Sequence, residues 1–470
     1  MKSREYDIAV IGSGLGGYVA AIRGAQLGKK VLLVEKEKLG GVCINWGCIP
    51  TKFLIYHSKL FRELKENKNF QGPLEEIKLS VKKLQENKQR CVARLVKGIG
   101  FLLEKNKVTV FKGEASFNRH KQLFINGQNE KQKVRAEKII LATGSRPGSL
   151  SFIKPNGNEV ITSKQALDIT EIPPRLVVIG AGAVGLELGS LFHRLGSKVT
   201  ILEIMPQILP GNDEDTAKSL ERELKKQGIE VLTEMKIQES FFKDGIVTVK
   251  GISLKDDSAF EFKTEKVLLA VGRKPNSEKV STGLPDLGLD RSGFVKVNEF
   301  METTVKNIYA IGDVTGGKLL AHKASHEGIT AAENASGIQK RMDYNAIPLA
   351  VFTEPEFSSV GITEEEAREK YGDDFRTGKF PLRASGRAVT MGKPEGFVKI
   401  ISHKNNQIMG AHILSPNASE MITELTLALK YGIKISELGS VIHVHPTLSE
   451  SIMEAALNAQ NKAVHILNKS

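Results

Sequence analysis

Cys43 and Cys48 lie in the segment Gly40-Gly41-Val42-Cys43-Ile44-Asn45-Trp46-Gly47-Cys48-Ile49-Pro50-Thr51-Lys52. Two thiols at this spacing meet across about one and a half helical turns if the local backbone distorts slightly. Such a pair can cycle between dithiol and disulfide by thiolate attack on sulfur. The segment follows a glycine-rich turn of the kind that holds a dinucleotide. The spacing therefore predicts electron transfer between a thiol substrate and a bound nucleotide. A zinc site would need further ligands, and no nearby Cys or His completes a set.

The elements around the pair must make that turn. Asp7-Ile8-Ala9-Val10-Ile11 runs into Gly12-Ser13-Gly14-Leu15-Gly16-Gly17, and Leu176-Val177-Val178-Ile179 runs into Gly180-Ala181-Gly182-Ala183-Val184-Gly185. Each Gly-x-Gly-x-x-Gly (Gly12, Gly14, Gly17; Gly180, Gly182, Gly185) is followed by a helix pattern and a second apolar strand. Those strands end at Glu35 and Glu203, each 23 residues after the first glycine of its turn. One such turn is a weak signal, whereas two copies with an acid at the same distance are strong. The glycines let the backbone approach a pyrophosphate at a helix N-terminus, and the glutamate accepts hydrogen bonds from ribose hydroxyls.

Between the two turns, residues 53–112 show helical spacing at Val81, Leu84, Cys91, Leu95 and Ile99, which predicts one or two long helices with Cys91 in their core. Strand patterns follow from Val108, at 139–145, at 267–273 and at 308–313. From about Tyr344 the pattern changes to strands such as Gly396–Ile401 and a helix near Ser419–Tyr431, which reads as a separate α+β domain.

A length of 470 residues fits two to four domains, and 40% hydrophobic with 26% charged residues is ordinary for a soluble globular chain. No apolar run approaches the roughly 20 residues that span a bilayer. The polar Met1–Asp7 leaves no room for a signal peptide before the first strand, so the expectation is a cytoplasmic location, or a transit peptide removed before this numbering begins. Three cysteines exclude a structural disulfide framework, and a reducing compartment fits them. The net charge of +13 is spread in pairs such as Lys29-Lys30 and Lys82-Lys83 without a dense block or a nucleic-acid module. It reads as a lysine-rich solvated surface, with no nucleic-acid or membrane partner, though it could also steer an acidic partner.

Together these motifs resemble the flavin disulfide reductases over essentially the whole chain. The resemblance rests on both glycine turns, the redox segment, Ala142-Thr143-Gly144-Ser145-Arg146-Pro147, Gly272-Arg273-Lys274-Pro275-Asn276 and Ala310-Ile311-Gly312-Asp313. It continues through Ala321-His322-Lys323-Ala324 and His443-Val444-His445-Pro446-Thr447-Leu448-Ser449-Glu450. It implies an α/β fold with two Rossmann-like dinucleotide-binding domains and a C-terminal α+β dimerisation domain. The expected divisions are an FAD-binding domain at 1–149, an NAD-binding domain at 150–271, a central domain completing the FAD site at 272–343, and an interface domain at 344–470. Trp46 departs from the family, which usually has a small apolar residue there.

Carried over position by position, the resemblance puts FAD on the first turn with Glu35 at its adenosine ribose. Gly113, Thr143, Gly144 and Ser145 join that set, with Asp313 at the ribityl chain and Leu319, Leu320, Ala321 and His322 along the flavin. Lys52 would sit beside the flavin and pair with Glu187. NAD would lie on the second turn, with Glu187, Glu203 and Gly272. Cys43 would exchange with substrate and Cys48 would pass electrons to the flavin.

A base must also deprotonate a dithiol substrate, and histidine suits that task. His443 and His445 flank one residue, and the residues by themselves leave both open; the family match selects His445, with Glu450 as its carboxylate. The same match implies a homodimer in which His445 reaches the disulfide of the other copy. Glu203 predicts NAD over NADP, because a 2′-phosphate would meet like charge and no arginine occurs from Ile204 to Leu209.

The activity implied is oxidation of dihydrolipoyl groups with reduction of NAD⁺. The lipoyl domains of acyltransferase or glycine cleavage carrier proteins would be the partners, and no metal is expected. Glutathione reduction is disfavoured by Glu203, mercuric reduction by the lack of any cysteine after Cys91, and flavin transhydrogenation by the paired thiols. A chain that merely holds FAD as a structural group would not need Cys43, Cys48, His445 and Glu450.

Overall fold

Continuous apolar runs such as Ile8–Ile11 and Val31–Val34 become parallel strands buried on both faces. The computed structural model describes residues 4–73, 76–118, 122–127 and 131–468. Among them no helix is long and apolar enough to cross a membrane. The chain divides into two units, the first made of residues 1–148, 167–170 and 272–343, the second of 149–166, 171–271 and 344–470.

The first unit holds a sheet in the order Thr109–Lys112, Val31–Glu35, Arg4–Ile11, Lys131–Leu141, Leu123–Asn126, Glu114–Phe117; Ile308–Ala310 also pairs with Lys131–Leu141. Helix α1 (Leu15–Gln26) leaves the first strand through the glycine turn and packs Ala20 and Ala21 against Ile8, Val10, Val31 and Leu33. Helices α2 (Gly41–Trp46) and α3 (Cys48–Glu66) carry the redox segment, and α4 (Val81–Lys105) packs Ile99 and Leu103 into the same core.

The apolar stripe expected on α4 differs in detail. Leu84 and Ile99 are buried, but Leu95 is exposed and Cys91 is only half-buried. The polar Gln85 and Lys88 are buried in their place, because their side chains reach out to the 167–170 strap. Lys88 Nζ donates to Leu167 O at 2.6 Å and pairs with Asp168 at 2.7 Å, while Gln85 Nε2 donates to Ile169 O at 2.8 Å. A hydrophobicity pattern cannot anticipate a buried lysine that finds its partners some 80 residues away.

The second unit contains a parallel sheet in the order Glu230–Leu232, Lys198–Leu202, Arg175–Ile179, Lys266–Leu269, Val160–Thr162. A three-stranded antiparallel sheet (Met235–Lys243, Ile246–Ser253, Ala259–Thr264) adjoins its core. The C-terminal part is an antiparallel sheet ordered Leu349–Val351, Glu356–Gly361, Ile408–Ser415, Phe397–His403, Phe375–Pro381. The helix Ala418–Tyr431 and the helix Glu450–Asn458 supply its covering layer, with Leu425, Ile452 and Ala455 in one core with Val398 and Ile413.

Inside this unit Lys399, 1% exposed, lies 2.8 Å from Asp213 and 2.6 Å from Glu364. Asp213 also caps the helix Glu214–Lys226, accepting from Thr216 N at 3.0 Å. Burial alone would raise the Asp213 carboxyl, but His412, Lys399 and the Thr216 donors hold it at about 2. Burial keeps His412 neutral near pH 7, so Lys399 is the cation that matters there.

Asp213→Asn should therefore cost about 3 kcal/mol, because it strips a buried ammonium of its nearest fully buried partner. The thermal midpoint at pH 7 reads that loss. A carboxyl depressed from 3.8 to about 2 stabilises the fold fully above about pH 4 and loses its contribution as pH falls toward 2. The gap between parent and variant should close over the same interval, and a constant gap would show that the carboxylate charge is not the cause.

Candidate active site

The redox segment is two helices, not one. Gly47 breaks the chain between α2 and α3. A Cβ there would lie 2.8 Å from Val42 O and 3.1 Å from the Cys43 Cα, so only glycine lets the chain fold back this tightly. Thr51 secures the new helix by donating its hydroxyl to Gly47 O at 2.6 Å, and Asn45 Nδ2 donates to Leu39 O and Gly41 O. The break brings the two thiols together unbridged and sharing a hydrogen bond. That bond with Cys48, then burial, raises the Cys43 thiol above its ordinary range, and the charge of Lys52 pulls the other way.

Sequence reasoning missed Tyr18 on α1. Its phenol is raised first by burial and then by electrostatic interaction with Cys43.

The two glycine turns are near copies. Gly12 and Gly180 both have φ of +102°, and a Cβ would lie 2.3 Å from Ala142 O at the first and 2.5 Å from Ala270 O at the second. Gly17 and Gly185 would each place a Cβ 1.9 Å from the carbonyl of the first glycine in their turn. By contrast, Gly14 and Gly182 face open space, where a pyrophosphate could approach. Glu35 accepts from Ser13 N at 2.9 Å and Glu203 from Ala181 N at 2.6 Å, so each glutamate also ties its strand end to the turn.

Further along the first unit, Gly113 N donates to Glu35 O, and the Thr143 hydroxyl is buried without a hydrogen-bond partner among the described residues. Next to it, Gly144 faces open space. An orphaned buried hydroxyl beside an open turn fits a polar ligand such as a flavin dinucleotide. Ser145 donates its hydroxyl to Asp313 at 2.5 Å and accepts from Arg273 Nε at 2.6 Å; Arg273 Nη2 donates to Ser145 O at 2.8 Å. Arg273 also lies 3.4 Å from Asp313. This residue stands 128 positions from Ser145, and its role was not legible in the sequence.

Behind Asp313, Glu327 accepts from Gly312 N at 2.7 Å and pairs with buried Lys323 at 2.9 Å. Leu319 and Leu320 lead into the helix Ala321–Ala335, with His322 exposed in its first turn. Gly272, expected with the NAD set, falls in the first unit, where its carbonyl accepts from Gly148 N.

In the second unit, buried Glu187 accepts from Phe352 N at 3.1 Å. The two histidines have separate fates. His443 is 6% exposed, held by Glu424 at 2.9 Å and by Val441 O at 3.0 Å. His445 is 79% exposed and its Nδ1 lies 2.9 Å from Glu450 Oε1. Glu450 Oε2 accepts from Thr447 N at 2.7 Å. Burial would raise Glu450, but the Thr447 amide and His445 outweigh it and hold the carboxyl below its ordinary range. This pair is built like an oriented base, with the carboxylate fixing one ring nitrogen and solvent reaching the rest. No group of three His, Cys, Asp or Glu side chains among the described residues is placed to hold a metal ion.

Two family models account for this arrangement. Residues 6–328 match the pyridine nucleotide-disulphide oxidoreductase model, and residues 347–456 match the dimerisation domain of the same family. The chain belongs to the pyridine nucleotide-disulphide oxidoreductase family, and its parallel Rossmann-like sheets and C-terminal antiparallel domain are that fold. Dihydrolipoyl dehydrogenases match it over its full length. It is 45% identical to the dihydrolipoyl dehydrogenase of Thermus scotoductus, covering 99% of this chain and 100% of that protein. It is 41% identical to that of Geobacillus stearothermophilus, covering 99% and 98%. Among solved structures it is similar to LpdA from Mycobacterium tuberculosis, with TM-score 0.87, 26% identity, and coverage of 96% and 99%. It is also similar to the flavoprotein disulfide reductase RclA from Escherichia coli, with TM-score 0.85, 28% identity, and coverage of 96% and 99%.

Proposed function

We propose that this chain is a homodimeric dihydrolipoyl dehydrogenase that binds FAD and reduces NAD⁺. The observation that carries the reading is the Cys43–Cys48 pair, held thiol to thiol by the Gly47 break, in a chain matched end to end by dihydrolipoyl dehydrogenases. The net reaction is dihydrolipoyl dithiol plus NAD⁺ giving lipoyl disulfide, NADH and a proton. The four-part division at 1–149, 150–271, 272–343 and 344–470 belongs to this proposal.

In this reading His445 takes a proton from the substrate dithiol, and the resulting thiolate attacks Cys43, breaking the Cys43–Cys48 bond and releasing Cys48 as a thiolate. The second substrate thiol then closes on the first sulfur, breaking its bond to Cys43, and its proton passes to Cys43, which leaves as a thiol. Cys48, the hydrogen-bond partner of Cys43, is left facing the flavin. FAD, when bound, supplies the two-electron relay between dithiol and pyridine nucleotide. Glu35, Gly113, Thr143, Gly144, Ser145, Asp313 and the start of the helix Ala321–Ala335 would hold it, with Lys52 beside it as the cation. Gly182, Glu187 and Glu203 would hold NAD⁺. In a homodimer the His445–Glu450 pair of one copy serves the cysteines of the other. The carrier would be a lipoyl domain of a 2-oxoacid dehydrogenase or glycine cleavage system in the cytoplasm.

NADH absorbance from dihydrolipoamide and NAD⁺, with NADP⁺ in parallel, tests both substrate and cofactor. NADP⁺ should be roughly a hundredfold poorer in kcat/KM, the equivalent of about 3 kcal/mol of like-charge repulsion at Glu203. An FAD-loaded protein that leaves dihydrolipoamide untouched would overturn the substrate assignment.

Arg273 gives a second check. Its contacts to Ser145 and Asp313 position that carboxylate as an acceptor, so Arg273→Gln should weaken FAD binding about tenfold, the scale of one charge-assisted hydrogen bond. Titration of the apoprotein with FAD measures it. An unchanged affinity would leave Arg273 with a purely structural part.

A further inference from the structure

The net charge of +13 is not shared between the units. The first unit contains 39 Lys and Arg against 23 Asp and Glu, leaving 28 against 31 in the second, so the whole excess lies in the first, at +16 against −3. Four of its cations lie on one helix face. On α4, Lys83, Arg90, Arg94 and Lys97 are all exposed, and they follow one another at spacings of seven, four and three. At about 100° per residue these spacings keep the four cations within about 60° of arc, along about 21 Å of helix.

The opposite face carries the buried Leu84, Lys88, Ile99 and Leu103, so the cationic line points straight away from the core. Among the described residues, Lys83, Arg94 and Lys97 have no ion pair, and Arg90 bonds only to the neutral Asn87. Phe101, 55% exposed, continues the same line, and Leu102 is exposed beside it. Unpaired cations in file repel one another, so the arrangement weakens the free helix. An anionic partner converts that cost into attraction.

We propose that this face of α4 is a docking surface for an acidic protein segment with an apolar residue at one end. Charge complementarity selects an acidic occupant. A second copy of this chain would bring a second +16 unit against the first. Exposed Phe101 and Leu102 favour a polypeptide over a phosphate backbone, since protein interfaces set aromatic and Arg side chains together. Glu86 and Glu104, also exposed on this helix, would repel a continuous anionic plane such as a membrane surface. A helical or extended segment can place its carboxylates to avoid them.

The test uses the holoenzyme and a quadruple variant, Lys83→Gln, Arg90→Gln, Arg94→Gln and Lys97→Gln, which touches none of the proposed catalytic or cofactor residues. The probes are a labelled glutamate-rich helical peptide of about 15 residues bearing one terminal leucine, a DNA duplex, and vesicles of phosphatidylcholine with phosphatidylglycerol. The parent should bind the peptide most tightly, with affinity falling as salt rises. The variant should bind it at least about tenfold more weakly, with turnover of dihydrolipoamide and thermal midpoint unchanged. Arg90→Gln and Arg94→Gln alone should show graded losses, which covers a quadruple variant that fails to fold. Absent peptide binding, binding that survives the substitutions, or tighter binding of the duplex or the vesicles would each overturn the assignment. Because turnover of free dihydrolipoamide is read separately, failure here is distinct from failure of the catalytic proposal.

Discussion

Cys48→Ser is expected to abolish dihydrolipoamide oxidation, lowering turnover with NAD⁺ by roughly 10⁴-fold or more, the scale on which loss of an essential nucleophile is felt. FAD content should be unchanged, because Glu35 is held by Ser13, and Asp313 by Ser145 and Arg273. Cys43→Ser should be equally silent, but for a different reason: it removes the sulfur that the substrate attacks. The two can be told apart by alkylation. In Cys48→Ser the remaining Cys43 no longer faces a second ionisable thiol, so its reaction with iodoacetamide near neutral pH should quicken relative to the reduced parent. If the serine variants turn over at the parent rate, the thiols are not the electron path, and a structural flavin becomes the better account of the chain.

The His445–Glu450 pair carries the second large effect. His445→Gln should lower kcat for dihydrolipoamide by about 10²- to 10⁴-fold, the usual reach of general base catalysis. His443→Gln should cost no more than about tenfold, because that ring is buried against Glu424 and Val441. Equal losses from both would dismiss the assignment of the base. Glu450→Gln should lie between them, since the amide keeps a contact to Nδ1 while losing the charge that steadies a protonated ring.

Glu450 also has a stability signature. Its folded carboxyl is depressed, so it stabilises the fold above its unfolded value, near 4.3 for an ordinary glutamate, and loses that contribution as pH falls through the folded value. The difference in thermal midpoint between parent and Glu450→Gln should narrow over that acidic window and stay level above it.

Several features were legible because they are local. A glycine at φ of +102° leaves a mark on the sequence, since few other residues tolerate that backbone, and the strand and helix around it have their own periods. Both dinucleotide turns with Glu35 and Glu203, the thiol pair, and the change of pattern near Tyr344 were therefore readable in the chain. The α4 stripe was only partly readable. Leu84 and Ile99 obey the helical period, while Lys88 and Gln85 are buried for partners far along the chain.

The sequence by itself determined the chemistry available: two thiols, two nucleotide turns and two candidate bases. Tertiary structure decided how those groups are held. It separated His443 from His445 by burying one and exposing the other, and it set Arg273 against Ser145 and Asp313 across more than a hundred residues. It also turned the cationic line of α4 to solvent by burying Leu84, Ile99 and Leu103 on the other side of that helix. The physical reason is the same in each case. Backbone conformation and period are properties of neighbours in the chain, whereas burial, ion pairing and exposure are properties of neighbours in space.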